Sequence, residues 1–335
     1  MNKDISERIW ATRYLMVLGI VVLHLPPYQP LSHVGQEPFD YIKAFFSHGV
    51  FRATVPVLTV ISGFLVFHFQ QQLKPAKLIW SKVKSILVPL IVWNVPLALA
   101  IFFIQKYGLF AHAFSATLYP FDIETWFTAI TGAFGNPVNY PLNFLRDLFV
   151  LACLAPLMWQ VLKRSPYMGL VLMSLVYYFN LDGPLVLRNS MLISFYIGAL
   201  AAHQNWDLTR LDRFAVPLFI LFLLICAAMV VFKVGNRELF RMVSPFMVWP
   251  AMSLVMKCKI GSLLVAYSRY SFFTFLSHGV VILAFWLAFN RFFQDAPYFI
   301  YWITAPVFAA ILAIGLDRLL NKYLPRFSSL LVGGR

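Results

Sequence analysis

The fold of this chain is decided by stretches such as residues 214–232, FAVPLFILFLLICAAMVVF, which contain no charged side chain. A helix of about 20 apolar residues is long enough to cross the hydrocarbon core of a bilayer. Similar runs recur along all 335 residues, of which 61% are hydrophobic and 12% are charged. About a quarter of the residues of a soluble domain are charged, and such a domain could not bury this much apolar surface. The sequence therefore predicts an all-α, polytopic membrane protein.

The apolar runs and the polar residues that flank them predict about ten transmembrane helices. A long connection from about Lys106 to Pro141 interrupts the series, and it is interpreted as a cap over a cavity or as a pair of interfacial half-helices. The helices are predicted near residues 12–27, 50–71, 84–105, 142–162, 166–182, 187–204, 214–232, 240–256, 270–290 and 297–317.

The distribution of basic residues predicts the orientation of the chain in the membrane. Cytoplasmic loops of membrane proteins carry an excess of Lys and Arg. When the predicted loops are assigned alternately to two sides, 18 of the 27 basic residues fall on the side that also holds both chain ends. Both termini are therefore predicted to be cytoplasmic, in agreement with an even number of crossings.

Several classes of protein and site are not indicated by the sequence. The net charge of +14 lies between apolar runs and not in a basic groove, so no nucleic-acid partner is predicted. The cysteines Cys153, Cys226 and Cys258 have no paired spacing, and neither a disulfide framework nor a metal site is expected. Residues 1–335 are interpreted as a single membrane-embedded domain without an appended soluble domain.

Two ionisable residues in the first predicted helix, Arg13 and His24, are candidates for function, because charged groups inside a membrane are costly. They are eleven positions apart, which places them within about 20° of one helix face. In a structural interpretation, Arg13 is a positive-inside anchor and His24 is a hydrogen-bonded interfacial residue. In a functional interpretation, Arg13 attracts an anionic donor, and His24 exchanges a proton near neutral pH.

Five sequence blocks resemble, in order and spacing, the acyltransferase 3 family of integral membrane acyltransferases. The first block has the family's R-x10-H pattern, and the second ends in S-G-F. The resemblance extends over about residues 8–320, although Trp10 stands where relatives often have an acidic residue. The blocks are RYLMVLGIVVLH (13–24), FRATVPVLTVISGF (51–64), KSILVP (84–89), PLNFLRDL (141–148) and YSFFTFLSH (270–278).

The resemblance implies an enzyme that moves an acyl group, usually acetyl, from a cytoplasmic thioester to a carbohydrate hydroxyl. The expected donor is acetyl-CoA or another acyl-CoA, and no permanently bound cofactor is expected. The acceptor would be a surface polysaccharide or its lipid-linked precursor. Such an enzyme is expected to lie in the bacterial plasma (inner) membrane, in contact with membrane lipids.

Roles for the candidate residues follow from this resemblance as hypotheses. His24 would be the general base, or else it would carry the acyl group itself, and Arg13 would stand where the donor enters. Arg52, Ser62, Arg146 and His278 are predicted to contact substrate, although each also has a structural interpretation, such as snorkelling, close helix packing, an Arg146–Asp147 pair or a buried hydrogen bond. Lys82 and Lys84 are predicted to bind coenzyme A phosphates, or else to form an ordinary positive-inside cluster that contacts anionic lipid.

Two other classes of function remain open from the sequence alone. A transporter or exporter of a lipid-linked saccharide would also have many helices and buried cations. A membrane assembly subunit without chemistry of its own would leave the position of His24 unexplained. Most carboxylates lie in loops or at helix ends, so the acidic relays of a transporter are not indicated.

Overall fold

A computed structural model describes residues 1–35, 37–108, 114, 116–183 and 185–334. In these residues the chain forms α-helices joined by turns, without β-strands, so the all-α prediction is confirmed. The helices are α1 (Lys3–Leu23), α2 (Pro38–Ala44), α3 (Thr54–His68), α4 (Pro75–Lys82), α5 (Val88–Lys106), α6 (Ile123–Thr131), α7 (Asn143–Arg164), α8 (Pro166–Tyr178), α9 (Ser190–His203), α10 (Ala215–Val231), α11 (Glu238–Met256), α12 (Lys259–Tyr267), α13 (Ser271–Phe292), α14 (Tyr298–Tyr323) and α15 (Pro325–Val332).

The helices of a multi-pass membrane protein are present. Each of the ten predicted positions holds a helix, although α8 and α9 are short and α1 includes several charged residues. The number of ten crossings and the side of each terminus stay predictions. Within the described residues, seven helical segments are long and apolar enough to cross a membrane: Pro38–His68, Pro75–Lys106, Tyr140–Arg164, Asp212–Val231, Glu238–Met256, Lys259–Phe292 and Tyr298–Tyr323.

Several helix ends differ from the predicted ones. The first helix begins at Lys3, where the side chain of Asn2 caps it, and it ends at Leu23 and not at residue 27. The earlier end is explained by Pro26 and Pro27, because a residue that precedes proline is disfavoured in a helix. The second helical segment begins at α2 and continues through a π-helical turn, Phe45–Gly49, and a 3₁₀ turn, Val50–Ala53, into α3.

The predicted connection from Lys106 to Pro141 contains one short helix in its described part. This helix is α6, and the side chain of Asp122 caps its N-terminus by accepting a hydrogen bond from the backbone N–H of Thr125. Residues 109–113 and 115 of the connection lie outside the described residues. The choice between a cap and a pair of half-helices therefore stays open.

The chain divides into two compact units, of which the first contains residues 1–65 and 193–315. In this unit α1 is a central helix that packs against α11, α12 and α13. The middle of α1 contributes Ala11 and Tyr14 to an apolar cluster with α11 and α12. Its C-terminal end contributes Val21 to a cluster with α13 and α14. Side chains on α1 are therefore held on a helix that is packed from its middle to its C-terminal end.

The second unit contains residues 66–192 and 316–335. Within it, α5 packs against α6 and α15, and α7 packs against α4 and α8. The indole N–H of Trp93 on α5 donates to the backbone oxygen of Leu331 on α15 over 3.2 Å. The C-terminal helix α15 is thus an integral part of this unit.

In the first unit, α3 and α9 approach each other through two glycines. A Cβ atom on Gly63 would overlap the backbone oxygen of Phe195, and one on Gly198 would overlap the backbone oxygen of Val60. Small residues allow membrane helices to approach this closely, and Gly63 belongs to the S-G-F block.

We expect the Gly198→Ala variant to be less stable by about 1–3 kcal/mol, because the added methyl group forces two helix backbones apart. Gly315→Ala is the matched control, since no described atom lies within 4 Å of a Cβ at this position. The measurement is thermal unfolding of both variants in detergent. Equal melting temperatures for the two variants would contradict the close packing of α3 and α9.

Candidate active site

Two histidines meet in the first unit at one end of α1. His24 is the residue that directly follows this helix, and His278 is a buried residue of α13. The Nδ1 atom of His24 and the Nε2 atom of His278 are 3.4 Å apart, and the ring centres are 5.3 Å apart. Sequence reasoning selected both residues, and the structure brings them into direct contact.

The backbone contacts of the two rings assign their protons. Nδ1 of His24 lies 2.9 Å from the backbone oxygen of Ile20, and Nδ1 of His278 lies 2.5 Å from that of Phe275. A carbonyl oxygen only accepts hydrogen bonds, so each Nδ1 carries a proton in the neutral ring. The Nε2 lone pair of His278 then faces the Nδ1 proton of His24. The lone pair of His24 is therefore on Nε2, the nitrogen that is able to take up a proton.

His24 and His278 are arranged as a general base and the group that orients it. A base works best when a third group fixes the ring and its tautomer. His278 and the Ile20 carbonyl group fix Nδ1–H of His24, and they would stabilise the positive charge that forms when Nε2 is protonated. The site can therefore perform proton transfer within an apolar environment.

The first helix also carries two arginines with different surroundings. Arg8 is buried, donates to both carboxylate oxygens of Asp212 at 2.9 Å, and donates to the backbone oxygen of Trp249. Its guanidinium group lies 4.2 Å from the centre of the Trp249 ring. Arg13, by contrast, has neither a hydrogen bond nor an ion pair with the described residues. Arg8 is therefore engaged in structure, and the predicted role of Arg13 at the donor entry stays a prediction.

Arg52 and Ser62 lie on the second helical segment of the same unit. Arg52 is in the 3₁₀ turn that precedes α3, and its Nε donates to the backbone oxygen of Ser47 over 3.0 Å. The hydroxyl group of Ser62 donates to the backbone oxygen of Leu58, one turn earlier, over 2.8 Å. Their predicted contacts with substrate stay predictions.

Arg146 and Asp147 form a buried ion pair in the second unit. Arg146 Nη1 donates to Asp147 Oδ1 at 2.9 Å. Its other nitrogen contacts go to backbone oxygens on the Gly132 turn and at Leu185. Asp147 also accepts the backbone N–H groups of Leu187 and Arg188. The pairing that the sequence offered as one alternative is present, and it fixes two loops.

The lysines predicted to bind coenzyme A lie in the second unit as well. Lys82 ends α4, and Lys84 is exposed on the π-helical turn Val83–Leu87, with its Nζ atom 5.2 Å from the centre of the Trp80 ring. A neighbouring cavity of about 410 Å³ is lined by Lys74 and Lys77. The predicted role of Lys82 and Lys84 in binding coenzyme A stays a prediction.

Sequence reasoning missed two features of the site. The burial of Arg8 was missed because Arg8 precedes the predicted helix at 12–27, and its partner Asp212 is 204 positions away in the sequence. Arg188 was also missed, and its Nε donates to the Asn143 side chain over 2.9 Å. In the described residues, no group of three His, Cys, Asp or Glu residues is arranged to hold a metal ion.

The comparison with protein families defines the class of this protein. A family model described as an acyltransferase domain, acyltransferase 3, matches residues 8–318. The chain therefore belongs to the acyltransferase 3 family, and the resemblance found in the sequence is confirmed. It is a multi-pass membrane acyltransferase.

Among individual proteins, the chain is similar to the succinoglycan biosynthesis protein ExoH of Rhizobium meliloti (strain 1021). The two are 28% identical over 353 aligned residues, which cover 100% of this chain and 94% of ExoH. No solved structure matches the chain.

We expect the Asp147→Ala variant to be destabilised by about 3–5 kcal/mol, because the charge of Arg146 would remain buried without its counter-ion. Glu7→Ala is the matched control, since its partner Lys3 has a side chain that is 83% exposed, and such a surface pair contributes less than about 1 kcal/mol. Thermal unfolding in detergent measures both. A loss for Asp147→Ala as small as that of the control would show that the buried pair is dispensable.

Proposed function

We propose that this protein transfers an acetyl or other short acyl group from acyl-CoA to a hydroxyl group of a carbohydrate. The acceptor would be a bacterial surface polysaccharide or its lipid-linked precursor. Membership of the acyltransferase 3 family supports group transfer, and the name of the relative ExoH supports a polysaccharide acceptor. The enzyme would work in the bacterial plasma membrane with both termini in the cytoplasm.

The observation that carries this proposal is the contact between His24 and His278. A hydroxyl group is a weak nucleophile, and an adjacent base with a fixed tautomer activates it. The Nε2 lone pair of His24 can accept the hydroxyl proton, while His278 keeps the ring oriented. Proton transfer by such a group accelerates a reaction by about 10²–10⁴-fold.

The proposed chemical step balances with the two substrates and the histidine pair. His24 Nε2 takes the hydroxyl proton as the oxygen forms a bond to the thioester carbonyl carbon. The tetrahedral intermediate then breaks its carbon–sulfur bond, and His24 returns the proton to the leaving sulfur. The products are the carbohydrate ester and free coenzyme A, and the histidine returns to its starting state.

Basic residues near the predicted cytoplasmic ends of helices would bind the donor. Arg13 has no counter-ion among the described residues, and it lies on the same helix as His24. Lys74 and Lys77 line a cavity large enough to accept part of a nucleotide. Lysine binds phosphate as a point charge, and Lys82 and Lys84 add to the positive potential of this segment.

Transport of a lipid-linked saccharide remains the main rival to transfer. The family membership favours transfer, since transporters require neither a base nor a thioester. The two functions are separated by whether labelled acyl groups appear on the acceptor.

We expect the His24→Gln variant to lose transfer activity by about 10²-fold or more, because the general base is removed. The assay incubates membranes with labelled acetyl-CoA or succinyl-CoA and a carbohydrate acceptor. His33→Gln is the matched control, because His33 is an exposed residue of the 3₁₀ turn Leu31–His33. Equal transfer by the wild type and His24→Gln would exclude the role of His24. Absence of transfer by the wild type with both donors would favour the transporter.

We expect His278→Leu to lower kcat by about 10–100-fold, with little change in the KM for acyl-CoA, since the ring of His24 would lose its orienting partner. His278→Gln should retain more activity than His278→Leu, because its amide oxygen can still accept Nδ1–H of His24. The measurement is steady-state kinetics at several pH values. Equal losses for the Leu and Gln variants would show that His278 has a packing role only.

A further inference from the structure

A second group of polar side chains lies in the first unit beyond the His24 end of α1. We define it as the basic cluster, and it contains Lys43, His48, Arg52 and Arg237. Its members come from α2, from the π-helical and 3₁₀ turns that follow, and from the residue that precedes α11. Arg52, Arg237 and Lys43 all lie close enough to His48 to interact with it electrostatically.

The hydrogen bonds of His48 show that it positions a cation. Nη2 of Arg237 lies 3.2 Å from Nδ1 of His48, and His48 Nε2 lies 2.8 Å from the backbone oxygen of Gln29. A guanidinium group only donates hydrogen bonds, so Nδ1 of His48 is the acceptor, and Nε2 carries the ring proton. His48 is therefore neutral, and it does not compensate the charge of Arg237.

Arg237 is a partly buried cation whose charge is not neutralised. Its Nε atom is buried and has no hydrogen-bond partner in the part of the chain that the structure describes. Burial, together with the like charge of Arg52, lowers the pKa of Arg237 to about 10. A buried donor without a partner is unfavourable unless a ligand satisfies it.

Of the two nearby carboxylates, one pairs outside the cluster and the other lies within it. Glu238, the residue next to Arg237, accepts a hydrogen bond from Arg241 at 3.0 Å. Asp40 lies beside Lys43. Among the described residues, Arg237 forms no ion pair with a carboxylate. The basic cluster thus holds more positive than negative charge.

The cluster adjoins the candidate active site. A small cavity of about 20 Å³ is lined by Leu23 and Leu25, the residues on either side of His24. Lys43 and His48 line the same cavity, together with the carboxylate of Asp40. The basic cluster and the two residues that flank His24 therefore share one small cavity.

We propose that the basic cluster binds an oxyanion, a carboxylate or phosphate, that one of the two substrates carries. The ion would accept the Nε–H of Arg237 and lie between this guanidinium group and that of Arg52. Paired guanidinium groups match the geometry of both anions. The inference rests on the proposed function and adds to it a preference for a charged substrate. The anion belongs either to the acceptor saccharide or to the far end of a dicarboxylic acyl group.

Binding of simple anions tests the cluster without any reaction. Inorganic phosphate and succinate are added to the detergent-solubilised full chain, and the melting temperature is measured. We expect each anion to raise the melting temperature of the wild type in a saturable way. The apparent affinity for the anion should be about tenfold or more lower in Arg237→Gln. Arg291→Gln removes the same charge from an exposed position in the same unit and should leave the stabilisation unchanged. A wild type that neither anion stabilises, or a stabilisation that Arg237→Gln retains in full, would overturn the proposal.

Arg237→Lys keeps the test valid if the Gln variant does not fold. Lysine preserves the charge but lacks the planar fork, so it should bind the anions more weakly than the wild type and melt at a similar temperature without them. Binding by Arg237→Lys that equals the wild type would contradict a specific role of the guanidinium group.

Transfer assays then identify which substrate carries the anion. Acetyl-CoA and succinyl-CoA are each combined with a uronic-acid oligosaccharide and with its carboxyl-reduced, neutral form. For each pair, the kcat/KM for the charged substrate is divided by the kcat/KM for the neutral substrate. We expect this ratio to be about tenfold lower in Arg237→Gln than in the wild type, either for the two acceptors or for the two donors. A ratio that stays constant for both pairs would contradict the proposal. Failure of the proposed function is distinguishable, because it abolishes transfer in the wild type and leaves anion binding intact.

Discussion

The cost of placing a polar or charged group in hydrocarbon is the constraint on which this structure depends. Every such group needs a partner from the protein, because the bilayer supplies none. Arg8 meets this requirement through Asp212 and a backbone oxygen, and Arg146 meets it through Asp147 and three backbone oxygens. The Arg8–Asp212 pair joins residues 204 positions apart, and the Arg146–Asp147 pair joins α7 to two loops. The pairing of buried charges therefore holds parts of the fold together, and it also replaces the hydrogen bonds that water would supply.

The same constraint explains why a histidine pair is effective here. His24 directly follows α1, and this helix is packed in its middle and at its C-terminal end, so the backbone of His24 is fixed on one side. His278 is buried on α13 and has little freedom to reorient. In water, solvent would compete for each ring nitrogen. In this setting the protein alone determines which nitrogen carries the proton, and the base is oriented before the substrate arrives.

The sequence predicted the helices because each apolar run is long enough to cross a bilayer, and it identified Arg13 and His24 because ionisable residues stand out in such runs. It predicted helix ends less well. The extension of α1 back to Lys3 depends on Asn2 and on the burial of Arg8, which no local pattern reveals. The contact of His24 with a residue 254 positions away exists only in the folded chain. The pairing of His48 with Arg237 was missed for the same reason.

Four arginines of the chain differ in whether a carboxylate neutralises their charge, and this difference carries functional information. Arg8 and Arg146 have carboxylate partners, so their charges are neutralised inside the protein. Arg13 and Arg237 have none among the described residues, although both are partly buried. An unneutralised cation reduces stability, and folding alone gives no reason to retain it. Arg13 lies on the helix that His24 directly follows, and Arg237 contacts His48, which lines a cavity beside His24, as expected if anionic groups of two substrates converge on one base.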